Sequence, residues 1–161
     1  MLVRLYDLRD ASPQLDALRA KGIEVRRALA PERHIVVGWV REHFGEAWAS
    51  ESEVSFGRLP ISCFRAQRGQ ELLGFACYDA TAKAFFGPTG VLESEREQGI
   101  GTALLLVTLA AMAAEGYAYA IIGGVGPADF YAKAVGAVPI AGSTPGIYAH
   151  YLRGSHATRK A

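Results

Sequence analysis

The stretch Val91-Leu92-Glu93-Ser94-Glu95-Arg96-Glu97-Gln98-Gly99-Ile100-Gly101-Thr102 is the most informative part of this chain. It joins a predicted strand, Ala84 to Leu92, to a predicted helix, Ile100 to Ala114, that is apolar on almost every side. A helix of that composition has to be covered by a sheet or by other elements rather than by water. The stretch therefore indicates a strand, a glycine-containing turn and a buried helix, which is typical of an α/β domain.

The centre of this stretch has the pattern R-x-x-G-x-G and predicts an anion site. Gly99 and Gly101 leave no side chain over the start of the helix, so its unpaired N–H groups are open to a bulky anion. These donors and the positive end of the helix dipole favour a phosphate. Thr102 adds a hydroxyl donor and Arg96 a permanent positive charge.

Other phosphate-binding turns fit this stretch less well. A Walker A loop requires a lysine after its glycines, and none follows here. The dinucleotide fingerprint requires a third glycine, and Leu104 stands in that place. Taken alone, the turn is equally compatible with a structural role in packing a helix close to a strand.

Length and charge limit the remaining possibilities. The chain has 161 residues and a net charge of +1, so we expect one domain and no overall field that recruits nucleic acid or an acidic membrane. We interpret Cys63 and Cys77 as reduced core thiols, and no signal peptide is evident at the N-terminus, so a cytoplasmic location is expected. The nearly uncharged stretch 99–128 is interrupted by glycines and is interpreted as a buried helix followed by a buried strand.

Hydrophobic patterns predict a mixed order of strands and helices. A β-meander occupies the middle of the chain, with strands at Ile61–Gln67, Leu72–Tyr78 and Ala84–Leu92. The other predicted strands are Leu2–Leu8, Ile23–Ala30, Tyr117–Gly123, which is expected to be buried on both faces, and a final pair, Val138–Ile140 and Gly146–Leu152. The predicted helices are Ser12–Lys21, 31–44, Ile100–Ala114 and Ala128–Val135, with a weak helix or irregular lid at Trp48–Arg58.

This order of elements, the R-x-x-G-x-G turn and the segment Phe130-Tyr131-Ala132-Lys133-Ala134-Val135-Gly136-Ala137 resemble the GNAT superfamily of N-acetyltransferases over about residues 23–150. The resemblance implies a mostly antiparallel mixed sheet flanked by helices, with one splayed parallel strand pair. It also implies a single domain, with an N-terminal extension at 1–22, a core at 23–153 and a flexible tail at 154–161. Residues 1–22 would serve either a homodimer contact or the shielding of a sheet edge.

By the same resemblance the anion is the pyrophosphate of acetyl-CoA. The expected cofactor-binding residues are Thr89, Gly90 and Val91 for the thioester arm, Arg96, Glu97, Gln98, Gly99, Ile100, Gly101 and Thr102 for the pyrophosphate, and Tyr131. Val91 would supply an N–H to the negative charge that develops on the acetyl oxygen, and Tyr131 would protonate the leaving thiolate. An acidic Glu97 departs from the family pattern and would repel the pyrophosphate if it pointed inward.

The acceptor site is less constrained by the sequence. Candidate lining residues are Phe44, Trp48, Glu51, Glu53, Tyr78, Phe86 and Tyr148, and this mixture of aromatic and acidic groups suits a primary amine on a small molecule or peptide. Glu51, Glu53 or Glu93 could act as the base through water. His34 is interpreted as a surface or capping residue, and His43, His150 and His156 lack metal-ligand spacing with it, so no metal is expected.

These observations predict an acetyl-CoA-dependent N-acetyltransferase that transfers the acetyl group directly within a ternary complex. A non-catalytic CoA-binding module with the same fold is the main alternative. An enzyme that binds a nucleotide phosphate at the same turn is a further one.

Overall fold

A computed structural model, which describes residues 1–153, shows a mixed α/β fold built on one six-stranded sheet. The strand order is β1-β6-β5-β4-β3-β2. The strands are β1 (Leu2–Arg4), β2 (Ile23–Arg27), β3 (Cys63–Arg68), β4 (Glu71–Tyr78), β5 (Phe85–Val91) and β6 (Tyr119–Ile122). The helices are α1 (Ser12–Arg19), α2 (Arg33–Phe44), α3 (Glu46–Ser55), α4 (Ile100–Ala114) and α5 (Ala128–Val135). The predicted tail, 154–161, lies outside the described residues.

The central meander was predicted correctly. Strands β3, β4 and β5 pair in antiparallel fashion in sequence order, and β2 adds to the free side of β3. Strands β5 and β6 are parallel, but they pair only at Phe85 with Ile121 and at Phe86 with Ile122. Because β5 continues to Val91 while β6 ends at Ile122, the two strands separate, as expected for a splayed pair.

Helices cover the two faces of the sheet with different cores. Helix α4 buries Ile100, Leu104 and Leu109 against one face, together with Leu73 of β4. The α2–α3 hairpin covers the other face of the central strands, where Phe75 is buried. The stretch Trp48–Arg58, for which helix and irregular lid were both considered, is helical to Ser55.

The prediction that Tyr117–Gly123 is buried on both faces was wrong. The strand is shorter, and its burial alternates: Ala120 is fully buried, whereas Tyr119 is 46% exposed. Helix α4 packs on one face of β6. On the opposite face of the sheet, α3 packs on β4 and β5, so this helix does not cover β6.

The predicted final strand pair was also wrong. Gly146–Tyr148 is a single 3-10 turn, and Val138 forms only an isolated bridge to Leu2. The reason is that β1 already pairs along the outer edge of β6, with Leu2 opposite Ile121. The N-terminal strand, which ends at Arg4 rather than Leu8, thus shields this sheet edge.

Within residues 1–153, no helix is long and apolar enough to cross a membrane. Cys63 and Cys77 are free, fully buried thiols that lie opposite each other on β3 and β4.

Candidate functional site

The open edge of β5 carries the first part of the candidate site. The N–H of Leu92 donates to the carbonyl of Leu73 on β4, over 2.9 Å. Since backbone groups of successive residues in a strand point to opposite sides, the N–H and C=O groups of Val91 and Thr89 face away from β4. They face the side on which β6 has already ended, so they are free to bind an extended ligand as a strand would.

The turn between β5 and α4 carries the second part. Gly99 has a left-handed backbone with φ 91°, which lets the chain turn sharply into the helix at Ile100. A Cβ on Gly101 would lie 3.8 Å from side-chain atoms of both Val91 and Phe130. The start of α4, the end of β5 and α5 therefore converge at Gly101.

Basic groups gather around this turn, and one of them was missed at the sequence level. Lys21, which follows α1, donates to the backbone carbonyl of Gln98 over 3.4 Å. Arg68 holds the carboxylate of Glu95 over 2.9 Å, and this hydrogen bond lowers the pKa of Glu95. The negative charge of Glu95 is thus compensated, while Arg96 is exposed at the turn. Sequence spacing gave no signal for Lys21 because it is 77 residues away from its partner.

Beside the turn lies an open cleft of about 660 Å³. The end of α2 forms one wall, and the end of β5 with the following turn forms the other. The lining residues are His43, Phe44, Val91, Leu92, Glu93, Ser94 and Arg96. The ring of Phe44 lies directly over Gly90, where a Cβ would come within 2.6 Å of it. Gly90 thus permits α2 to end against the strand, which forms the cleft.

Tyr131 does not line this cleft. It is 6% exposed and packs on α5 between the rings of Phe86 and Phe130, with centroids 6.3 and 5.1 Å away. Burial raises the pKa of Tyr131, so the phenol stays protonated at neutral pH. Its hydroxyl has no hydrogen-bond partner within residues 1–153, which leaves the proton available to a ligand.

Of the seven expected acceptor residues, Phe44 lines the cleft and the other six do not. Tyr78 and Phe86 are core residues, 0% and 3% exposed. The two residues are opposite each other on β4 and β5, and both side chains pack into the core on the same face of the sheet. Glu53 forms an ion pair with Arg33 in a separate groove beside α2.

The remaining candidates form a group on the α3 side of the sheet. Trp48 stacks on the cleft residue Phe44 with a centroid distance of 5.4 Å. Glu51 accepts a hydrogen bond from the Thr81 hydroxyl over 2.5 Å. Burial raises the pKa of Tyr148, and the charge of Glu51 adds to the effect.

Gly123 explains how Tyr148 reaches this group. A Cβ on Gly123 would lie 2.6 Å from the Tyr148 hydroxyl, so the glycine lets the phenol rest against the end of β6. The role of this glycine was not predicted from the sequence. It follows only from the position of the 3-10 turn at Gly146–Tyr148.

His43 is the second residue that sequence reasoning missed. It was considered only as a metal ligand and set aside, yet the structure places it in the cleft with Val91 and Glu93. His34 faces the separate groove beside α2 and is exposed. Within residues 1–153, no three His, Cys, Asp or Glu side chains are grouped as they would be to hold a metal ion.

The model of the family described as "Acetyltransferase (GNAT) family" matches residues 24–136. A search of curated proteins found no match.

Two solved structures share the fold. One is a GCN5-related glucosamine N-acetyltransferase region of a fungal multi-domain GH3 beta-N-acetylglucosaminidase, with TM-score 0.66, 14% identity and 83% of this chain covered. The other is a GCN5-related N-acetyltransferase from Sphaerobacter thermophilus, with TM-score 0.60, 18% identity and 83% of this chain covered. The match spans 19% of the fungal chain and 45% of the Sphaerobacter chain. Because the family model matches well over half of the sequence and the sheet has the same architecture, the chain belongs to the GNAT acetyltransferase family.

Proposed function

We propose that the protein is an N-acetyltransferase that transfers the acetyl group of acetyl-CoA directly to a primary amine in a ternary complex. The separation of β5 from β6 beside the R-x-x-G-x-G turn is the observation that carries this proposal. It provides unpaired backbone groups for an extended arm and bare N–H groups for a pyrophosphate in one continuous surface.

The residues present fit acetyl-CoA, which supplies an activated acetyl group as a thioester when it is bound. The backbone of Thr89–Val91 would hold the pantetheine arm along the open edge of β5. The N–H groups of Glu97–Thr102 would bind the pyrophosphate, and the charges of Arg96 and Lys21 add to the attraction. Gly101 supports this fit, because a side chain there would point between Val91 and Phe130 into the same opening.

The chemistry divides between two residues of the chain. The Val91 N–H, on the open edge, would donate to the acetyl oxygen as negative charge develops there. Tyr131 would donate its phenolic proton to the departing sulfur, since its raised pKa keeps it protonated.

Direct transfer is favoured because the two cysteines are poorly placed to carry an acetyl group. Cys63 and Cys77 are 0% exposed, beneath α3. The hydrogen bond between the two thiols and burial both raise the pKa of Cys63, which suppresses the reactive thiolate.

Two measurements test the proposal. Acetyl-CoA at saturating concentration is expected to raise the melting temperature, and the absence of any shift would overturn the cofactor assignment. A panel of small-molecule and peptide amines is then screened for release of free CoA with a thiol reagent. Binding of acetyl-CoA without turnover on any amine would favour the alternative, a CoA-binding module.

A further inference from the structure

We infer that His43 is the group that takes the proton from the acceptor amine. This inference rests on the proposed function, because it concerns the same transfer reaction. Its starting point is the cleft, in which the His43 imidazole lies on the α2 wall and Val91 lies on the opposite wall. An amine bound in this cleft would lie beside both His43 and Val91.

The position of His43 is fixed from two directions. Its ring packs on Trp39, one helical turn earlier, with a centroid distance of 5.0 Å. The next residue, Phe44, anchors the end of α2 on β5 at Gly90. The imidazole is therefore held at the mouth of the cleft rather than on a free helix end.

The carboxylates that sequence analysis offered as bases are less suitable. Glu53 is paired with Arg33 in a separate groove, and Glu51 accepts a hydrogen bond from Thr81. Glu93 lines the cleft. Histidine is, however, the side chain that enzymes use most often for proton transfer. No hydrogen bond or ion pair within residues 1–153 occupies the His43 ring.

The proton balance of the reaction shows which proton His43 would accept. An ammonium acceptor loses one proton to the His43 imidazole, and the neutral nitrogen then forms a bond to the acetyl carbon. As the carbon–sulfur bond breaks, Tyr131 protonates the sulfur and recovers a proton from the acetylated nitrogen. The products are the amide, the thiol and one proton on His43, which passes to water because this side chain is exposed.

The chain contains a matched control for this assignment. His34 lies nine positions earlier on the same helix and is also exposed, but it faces the separate groove. We compare wild type, His43→Ala and His34→Ala in steady-state acetyl transfer to an amine identified by the panel. General-base catalysis contributes about 10²- to 10⁴-fold in rate, so a loss of about 100-fold in kcat is expected for His43→Ala. The thermal shift with acetyl-CoA should be unchanged in both variants, and His34→Ala should keep wild-type turnover.

Added imidazole supplies the second readout. Because the cleft is open, free imidazole should restore part of the turnover of His43→Ala and have no effect on wild type or His34→Ala. If His43 had only a structural role, added imidazole would not restore the turnover of His43→Ala. Wild-type kcat in His43→Ala, or a loss that imidazole does not restore, overturns the inference while the proposed function stands. A loss of turnover in Glu93→Gln with none in His43→Ala assigns the proton to Glu93 instead. A wild-type protein inactive towards every amine overturns the proposed function and this inference together.

Discussion

Substitution of Gly101 should separate cofactor binding from folding. The new Cβ of Gly101→Ala would lie 3.8 Å from Val91 and Phe130, which is ordinary van der Waals contact, and Gly101 is in the first turn of α4. Alanine is more favourable than glycine in a helix by up to about 1 kcal/mol, and less than that near an end. We therefore expect the unliganded variant to melt at the wild-type temperature or about 1–3 °C above it.

The affinity for acetyl-CoA should fall in the same variant, although its unliganded stability does not. At a ligand concentration of about 100 times Kd, binding stabilises a protein by about 2.7 kcal/mol, which raises Tm by about 5–10 °C at this chain length. A methyl group between Val91 and Phe130 narrows the opening, and a tenfold loss of affinity would reduce the stabilisation to about 1.4 kcal/mol. Gly101→Glu adds bulk and a negative charge, so its thermal shift should vanish, while the acidic group near the helix N-terminus leaves the fold intact.

Gly99→Ala, in contrast, should destabilise the fold without ligand. Its φ of 91° strains a residue with a side chain, and its Cβ would lie 3.2 Å from the amide of Gln14. A loss of about 1 kcal/mol in the free energy of unfolding is expected without ligand. Retention of the full acetyl-CoA shift by Gly101→Glu would refute the assignment of this turn as the pyrophosphate site.

Three further substitutions test other parts of the structure. Tyr131→Phe should lower kcat by about 10- to 100-fold with an unchanged Kd for acetyl-CoA, and equal turnover in the two proteins would exclude the acid role. Arg65 holds the pKa of Glu32 down from 4.5 to about 2, chiefly by a hydrogen bond, so the stability this pair contributes is present above pH 4.5 and lost as pH falls towards 2. The shift in pKa sets an upper limit of about 3 kcal/mol for the pair, and solvent screening reduces it. Glu32→Gln should therefore lower the free energy of unfolding in urea by about 1–2 kcal/mol at pH 7 and weaken its decrease between pH 4.5 and 2. An unchanged pH dependence of the free energy of unfolding in this range would contradict the prediction. Gly90→Ala must push the Phe44 ring away from β5, so kcat/KM should fall several-fold at unchanged far-UV circular dichroism, whereas an unaltered kcat/KM would show that Phe44 does not shape the site.

The central elements could be predicted because local sequence determines them. The meander strands are short segments separated by turns, and these connections are too short for a crossover, so only antiparallel pairing is open to them. Helix α4 is apolar over four turns and could only be a buried helix.

The error in the final strand pair concerns competition between strands for one sheet edge, which local sequence does not encode. Val138–Ile140 has a composition that suits a strand, but the edge of β6 that it would need is occupied by β1, from the other end of the chain. Val138 is left with one bridge to Leu2, on the outer side of β1. The hydrophobic pattern of the C-terminal segment does not indicate which strand pairs with the edge of β6.

The candidate site also has one part that local sequence predicts and another that depends on tertiary contacts. The proposed pyrophosphate turn can be recognised in the sequence because its candidate donors are backbone N–H groups of six adjacent residues, exposed by Gly99 and Gly101. In the proposed function these backbone donors, together with Arg96 and Lys21, would hold a polyanion on a chain whose net charge is only +1. His43 and Lys21 contribute from distant segments, and only the contact of Phe44 with Gly90 places the end of α2 at the cleft. In the proposed function, cofactor binding is therefore encoded mainly by local sequence and the acceptor chemistry by tertiary contacts, so we expect a substitution at the end of α2 to change the acceptor or the proton transfer and to leave the turn intact.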